Sequence, residues 1–172
     1  MLKKITKLSL ILFAILCTAI PALANGGTLA TYSTKFNGDN HPRVNNIRVA
    51  AQSINGTTIA PGETFSYNET VGPTTEARGY QKAEIFVAGQ KKKGFGGGVC
   101  QVSSTIYNAA TAAGLEITER HAHSKDVAYV PDNKDAATSY GVIDLKFKNT
   151  KNHPITIRSY VEGNEVVVEI VG

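Results

Sequence analysis

Residues 94–114 have the sequence GFGGGVCQVSSTIYNAATAAG, and this stretch decides how the chain folds around its most unusual side chain, Cys100. Apolar residues recur at the spacing of one helix face, at Val102, Ile106, Ala109, Ala110 and Ala113. Gly114 is a typical C-terminal stop, and the glycines at 96–98 prevent an earlier start. The pattern predicts a helix that begins beside Cys100 and packs its apolar face on a sheet.

Cys100 is predicted to lie in or beside the first turn of this helix. Free backbone N–H groups and the helix dipole favour an anion there, and a thiol so placed has a lowered pKa. The glycines allow the backbone to approach a ligand and to turn N–H groups towards an oxyanion. Polar neighbours also follow at three, four and seven residues. The residues predicted to contact the substrate or its oxyanion are Gly96, Gly97, Gly98, Gln101, Ser103, Ser104 and Tyr107.

The chain opens with a pattern typical of a secretory signal peptide. Lys3, Lys4 and Lys7 form the positive segment, residues 8–20 form the apolar segment, and 22–24 are a small-x-small cleavage site. The apolar run is short and wrongly flanked for a membrane span. Cleavage after residue 24 predicts one mature domain, residues 25–172, that is secreted or associated with the cell wall. Retention of the segment as an anchor is the alternative.

Cleavage would remove Cys17 and leave Cys100 as the single cysteine of the mature chain. A single thiol cannot form an intramolecular disulfide, and exported proteins tend to use cysteines in pairs or to avoid them. The alternative is a buried structural role, which is common for free cysteine. The glycines and the predicted helix start favour a reactive nucleophile.

The charge of the chain argues against a nucleic-acid partner. The full chain has 18 basic and 14 acidic residues, a net charge of +4, but the mature part has 15 against 14, or +1. There is no basic helix and no nucleic-acid motif. Lys91–Lys93 are predicted to form a solvated loop. With 42% apolar residues and no internal repeat, the mature part is expected to be one globular domain.

A nucleophilic thiol needs a base, and two histidines follow the predicted helix closely. The segment LEITERHAHS (115–124) predicts a strand that places His121 and His123 on one face, which could pack beside Cys100. An exposed polar strand end is the alternative for either histidine, and a zinc pair would need a third ligand. Spacing does not choose the group that orients the base among Asp126, Asp135 and Asp144.

The other segments predict an α+β domain with a largely antiparallel sheet. Residues 45–56 are predicted as a helix ended by Asn55-Gly56, and 57–72 as short extended pieces around a Pro61-Gly62 turn. Residues 32–46 are polar and are predicted as loop or short strand. The predicted strands are 83–89, 142–149, 154–163 and 165–172, with a hairpin turn at 161–166.

Several of these blocks together resemble the VanW family, which is named from glycopeptide-resistance clusters of Gram-positive bacteria and so from vancomycin resistance. The likeness covers about residues 32–170, nearly the whole mature chain. It is carried by residues 45–80, GGGVCQVSSTIYNAA (96–110), ERHAHS (119–124), YVPDNKDAA (129–137) and YGVIDLKFKN (140–149).

The resemblance implies L,D-transpeptidation of peptidoglycan stem peptides by a cysteine nucleophile. Cys100 matches the family cysteine, His123 the histidine of a His-Ser pair, and Asp135 the aspartate of an Asp-Ala block. We expect a monomeric enzyme without metal or cofactor that forms 3→3 cross-links through a Cys100 thioester, and that meets the membrane only through its signal peptide. The alternatives are a papain-like peptidoglycan endopeptidase and a non-catalytic accessory module that binds peptidoglycan or glycopeptide.

Overall fold

The computed structural model describes residues 26–87 and 90–172. The predicted signal peptide, with Cys17, lies outside the described residues. The described strands are β1 (Thr28–Lys35), β2 (Thr58–Ile59), β3 (Thr64–Ser66), β4 (Lys82–Val87), β5 (Gln90–Phe95), β6 (Glu116–Glu119), β7 (Lys146–Lys148), β8 (Ile155–Glu162) and β9 (Glu165–Val171). The described helices are α1 (His41–Ile54), α2 (Tyr67–Val71) and α3 (Val99–Ala112), with a 3₁₀ turn at Glu76–Arg78.

All strand pairs among the described residues are antiparallel, and the predicted α+β class is confirmed. The main sheet has the order β1-β9-β8-β2, and its centre is the predicted hairpin of β8 and β9. A second sheet has the order β3-β7-β6, and β4 pairs only with β5 among the described strands. Phe65 and Phe147 lie opposite each other in the second sheet, with ring centroids 4.8 Å apart.

Helix α3 forms as its apolar pattern predicts and packs on β1 and β9. Val102, Ile106 and Ala109 are fully buried in the core, and each branched side chain buried in this way contributes about 1.5–3 kcal/mol. The predicted end is also confirmed, because the chain leaves the helix at Gly114 with a φ of +69°. The sheet therefore fixes the helix that presents Cys100.

Helix α1 packs on β8 and also contacts α3. Asn40 caps it, since its side chain accepts a hydrogen bond from the N–H of Arg43, and Pro42 lies in the first turn. Its predicted end at Asn55-Gly56 is confirmed, with Gly56 at a φ of +81°. Within residues 26–87 and 90–172, none of the helices has the length and apolar character needed to cross a bilayer.

One local prediction was right in part and two were wrong. The segment 32–46, predicted as loop or short strand, holds the second half of β1, which pairs with β9, and also the start of α1, which was not predicted there. Lys91–Lys93 are exposed but belong to β5, where Lys91 forms an ion pair with Glu84 across the hairpin (2.9 Å). The strand expected over 142–149 is formed only at Lys146–Lys148.

Candidate active site

Cys100 is the second residue of α3 and is half-buried at the helix N-terminus. Gly98 is the N-cap, and no side chain caps this end of the helix. No oxygen of the described residues accepts a hydrogen bond from the backbone N–H of Cys100. An unpaired N–H group beside the thiol, at the positive end of a helix, can stabilise an anion that forms there.

His123 and Asp135 form a tightly connected pair beside the thiol. Nδ1 of His123 and Oδ2 of Asp135 are 2.6 Å apart, and the same oxygen accepts the backbone N–H of His123 at 2.6 Å. Arg120 holds the other carboxylate oxygen, with Nη2 2.8 Å from Oδ1. Because Nδ1 is engaged with Asp135, Nε2 is the nitrogen left for the thiol.

The thiol and the imidazole shift each other's protonation. Burial alone would raise the pKa of the Cys100 thiol, but its interaction with the His123 side chain and its hydrogen bond to the Thr138 carbonyl outweigh burial, so that the pKa is lowered. Burial would lower the pKa of His123, but its interaction with Cys100 and its hydrogen bond with Asp135 raise it. Both shifts favour the thiolate–imidazolium pair, which is the form in which a cysteine attacks a carbonyl.

The segment 134–138 carries Asp135 to the site, and the polar face of α3 holds that segment in place. Ser103 Oγ donates to the carbonyl of Ala136 at 2.5 Å, and Ser104 Oγ accepts its N–H at 2.9 Å. Asn108 Nδ2 donates to the carbonyl of Lys134 at 2.7 Å. The polar strip predicted beside the apolar face therefore positions the residue that orients His123.

Four side chains expected at the substrate contact other parts of the protein in the structure. Ser103 and Ser104 are fully buried and bond to backbone groups. Gln101 is also buried, and its Nε2 donates to Thr34 Oγ1 (3.0 Å) and to the carbonyl of Lys35 (2.9 Å) in β1, so it does not reach an oxyanion beside Cys100. Tyr107 is partly exposed, and its ring lies under the guanidinium of Arg120 at 5.3 Å.

The glycines at 96–98 make close contacts within the protein rather than lining an open cradle. A β-carbon at Gly96 would lie 2.7 Å from the side chain of Thr74, and one at Gly97 would collide with the carbonyl oxygen of Glu84. At Gly98 it would lie 2.9 Å from Cγ1 of Ile47. Gly96 and Gly98 also have φ values of +86° and +110°. The absence of side chains lets the start of α3 fit against α1 and β4.

The two histidines do not share a strand face as predicted. Strand β6 ends at Glu119, and His121 makes only an isolated bridge with Ala137. His121 Nε2 lies 3.0 Å from Oε1 of Glu119, whereas His123 is the histidine that interacts with Cys100. Among the described residues, no group of three His, Cys, Asp or Glu side chains is arranged to hold a metal ion.

The structure distinguishes the three aspartates that spacing left open. Asp135 contacts His123 directly. Asp144 accepts hydrogen bonds from Ser66 Oγ (2.5 Å) and from the N–H of Asn68 (2.8 Å), so it holds α2. Asp126 lines the shallow pocket next to His123 but makes no hydrogen bond or ion pair with the described residues. Of the three, Asp135 is therefore the aspartate placed to orient the His123 imidazole.

Sequence reasoning missed two residues of this site, Arg43 and Tyr129. The Arg43 guanidinium interacts electrostatically with Cys100 and with Tyr129. Burial and the neighbouring Cys100 raise the pKa of the Tyr129 phenol, and the edge of its ring faces His123 with centroids 6.5 Å apart. A cation in the first turn of α1 and a tyrosine opening the YVPDN segment were visible signals, but neither has a spacing that relates it to Cys100.

We expect Gly98→Ala to lower the free energy of unfolding by about 2 kcal/mol or more, which shifts the melting temperature by several degrees. A left-handed backbone costs an alanine about 1–2 kcal/mol, and the contact with Ile47 adds to it. Because the strain lies two residues before Cys100, turnover should also fall at least about tenfold.

Gly56→Ala is the matched control for this substitution. Gly56 also has a positive φ, +81°, but a β-carbon there meets nothing within 4 Å. The control should show the backbone strain alone and keep full activity. Equal losses of stability in the two variants would contradict a packing role for Gly98.

We expect alkylation of Cys100 by iodoacetamide to have a pH midpoint below that of an ordinary cysteine, about 8.5. The lowered thiol pKa gives more thiolate at neutral pH, and only the thiolate reacts. His123→Ala removes the main contribution that lowers the pKa, so the midpoint should move to higher pH. His121→Ala should leave it unchanged, and a midpoint that stays in place in His123→Ala would contradict the coupling of the two groups.

Comparison with known proteins identifies a family. A family model described as "VanW like protein" matches residues 42–171. The chain is 43% identical over 142 residues to "Uncharacterized protein YoaR" of Bacillus subtilis (strain 168), which covers 83% of this chain and 47% of that protein. It is 28% identical over 133 residues to "Vancomycin B-type resistance protein VanW" of Enterococcus faecalis (strain ATCC 700802 / V583), which covers 74% of this chain and 48% of that protein.

The chain thus spans about half the length of the curated relatives that it matches. No solved structure matches the chain. The matched region of the family model includes Arg43, Cys100, His123 and Asp135.

Proposed function

The chain belongs to the VanW-like protein family, and on that premise we propose that it is an exported cysteine acyltransferase that acts on peptidoglycan stem peptides as an L,D-transpeptidase. The observation that carries the proposal is the pairing of His123 Nδ1 with Asp135 at 2.6 Å, beside a Cys100 thiol whose pKa the His123 side chain lowers. This is the arrangement of nucleophile, base and orienting carboxylate used in acyl transfer.

In the proposed acylation step, the Cys100 thiolate attacks the carbonyl carbon at the L-centre of the third residue of a donor peptide. A carbon–sulfur bond forms, and the carbonyl oxygen becomes an oxyanion that the unpaired N–H of Cys100 can stabilise. When the tetrahedral intermediate collapses, the bond to the terminal D-alanine breaks. The imidazolium of His123 gives its proton to the leaving amine, which leaves a thioester on Cys100.

In the proposed transfer step, the side-chain amine of a second stem peptide attacks the thioester. His123, now neutral, takes a proton from this amine as the new amide bond forms. The thiolate leaves, and the thiolate–imidazolium pair is restored. The product is a 3→3 cross-link, and Asp135 keeps Nε2 of the imidazole directed at the reacting atoms in both steps.

A peptidoglycan endopeptidase would use the same thioester with water as the acceptor. A binding module would need neither a nucleophile nor a base. It would therefore not explain the lowered pKa of Cys100 or the contact between His123 and Asp135. The predicted signal peptide supports export, and a cell-wall setting accords with a relative that is named for vancomycin resistance.

The proposal is tested by incubating purified mature protein with disaccharide tetrapeptides and analysing the products by mass spectrometry. A transpeptidase gives cross-linked dimers with release of D-alanine. An endopeptidase gives shortened monomers only. If the tetrapeptide stays unchanged but calorimetry detects its binding, the protein is an accessory binding module and the proposal is wrong.

A further inference from the structure

A second cationic group lies beside the thiol, on a different element from His123. Arg43 is in the first turn of α1, and its stem lies against the N-cap of α3. A β-carbon at Gly98 would be 3.1 Å from Cγ of Arg43 and 3.1 Å from its carbonyl oxygen. The glycine therefore lets the arginine pass close to the start of α3, two residues before the nucleophile.

The guanidinium of Arg43 forms no ion pair and no hydrogen bond with any residue in the described ranges. Its electrostatic partners are the phenol of Tyr129, the thiol of Cys100 and the carboxylate of Glu84. Glu84 is already paired with Lys91 at 2.9 Å, and Tyr129 stays protonated because burial and Cys100 raise its pKa. Arg43 thus has no dedicated counter-charge.

An unpaired and partly buried guanidinium is costly, because burial removes water without supplying an acceptor. Burial accordingly lowers the pKa of Arg43 from its usual value. The same group is suited to an anionic ligand, since guanidinium presents two parallel N–H donors that match a carboxylate. The position next to the nucleophile indicates that this carboxylate belongs to the reacting peptide.

We propose that Arg43 is a substrate-binding residue that holds the C-terminal carboxylate of the donor peptide while Cys100 attacks the neighbouring carbonyl. The inference rests on the proposed function, in which one terminal residue leaves. Only one residue separates the scissile carbonyl from that carboxylate, so a group that binds it must lie near the start of α3, where the stem of Arg43 packs against Gly98, two residues before Cys100. Recognition of this kind would restrict the enzyme to donors that end one residue after the scissile bond.

The first test uses small alkylating reagents and requires no peptide chemistry. Iodoacetate carries a carboxylate and iodoacetamide does not, and the ratio of their rates at Cys100 cancels any change in thiolate fraction. Arg43→Gln, which keeps most of the aliphatic stem, should lower the iodoacetate-to-iodoacetamide ratio at least about fivefold. Arg48→Gln, an exposed arginine on the same helix, removes the same charge and should leave the ratio within about twofold. An unchanged ratio in Arg43→Gln would overturn the assignment.

The second test identifies the carboxylate. In a Cys100→Ala background, calorimetry compares a tetrapeptide with a free C-terminus and the same peptide with a C-terminal amide. The acid should bind at least about tenfold more tightly, as expected for a charge-assisted hydrogen-bonded pair. Arg43→Gln should abolish this preference, and Arg43→Lys should restore part of it.

The two proposals fail in different ways. Equal binding of acid and amide with intact Arg43, or no binding of either, would overturn the role of Arg43 at the C-terminus whether or not the enzyme turns over. A preference for the acid without any acylation of the Cys100 protein would instead retain Arg43 as a carboxylate-binding residue and remove the transpeptidase chemistry. Melting curves of each variant establish that the fold is kept.

Discussion

Cys100→Ala is expected to abolish acyl transfer while the melting temperature changes little. Cys100 is half-buried, and its thiol contacts Thr138 at 3.4 Å to the carbonyl and 3.9 Å to Oγ1. Removing one sulfur atom at such a position leaves the core untouched, whereas the thioester cannot form without it. Product analysis and thermal unfolding measure the two effects separately.

Cys100→Ser is the matched control, because it keeps a polar atom in the same place. A hydroxyl is far less ionised than a thiol at neutral pH, so the serine variant should be nearly as inactive as the alanine variant. A large loss of stability in Cys100→Ala with unchanged product formation would instead identify Cys100 as a structural residue.

The second large effect is expected for His123→Ala, which should slow acylation by about two to four orders of magnitude. The imidazole supplies the main interaction that lowers the thiol pKa. In the proposed mechanism it is also the proton donor for the leaving amine. The backbone N–H of His123 would still bind Asp135, so the fold of the 119–124 segment should survive. Single-turnover acylation measures the rate directly.

His121→Ala provides the comparison within the same segment. Its imidazole contacts Glu119 rather than the thiol, and the side chain of Glu119 is also held by Lys146 at 2.9 Å. We expect a change in acylation of less than about threefold. The opposite ranking of the two histidines would move the base to His121, and small equal effects in both would remove the cysteine–histidine pair.

The sequence predicts the helix that carries the nucleophile because its determinants are local. Apolar spacing, the glycines before Val99 and the stop at Gly114 all act within one turn of the residues that they control. The β8–β9 hairpin is predictable for the same reason, since alternation and turn residues are adjacent in the chain. These elements together place Cys100 at the end of a helix that packs on the main sheet.

The rest of the site depends on contacts between distant residues. Ser104 looks like a surface residue of the helix until the segment around Ala136, more than thirty residues later, covers it. Distance along the sequence from Cys100 does not show whether His121 or His123 faces the thiol. In the structure β6 ends at Glu119, and the contact of His121 with Glu119 separates its imidazole from that of His123. The periodicity of a single segment cannot predict the contact of Ser104 with Ala136 or that of His121 with Glu119.

The glycines at 96–98 were correctly predicted to need the absence of a side chain, but for a different reason. We expected Gly96–Gly98 to admit a substrate, but their missing side chains admit Thr74, Glu84 and Ile47. A positive φ can be suspected from a glycine run, whereas the neighbours that exclude a side chain at Gly96 and Gly98, Thr74 and Ile47, are distant in sequence. Arg43 was missed for the same reason, because only the packing of α1 against Gly98 brings it to the thiol.

Intact-protein mass spectrometry after brief incubation with a tetrapeptide donor is the most direct test of the central claim, that Cys100 forms a thioester. We predict a mass increase equal to the donor without its terminal residue, located on Cys100, reversed by hydroxylamine and missing in Cys100→Ala. A wild-type protein that binds the tetrapeptide and is alkylated at Cys100 by iodoacetamide, yet never acquires this acyl group, would contradict the claim.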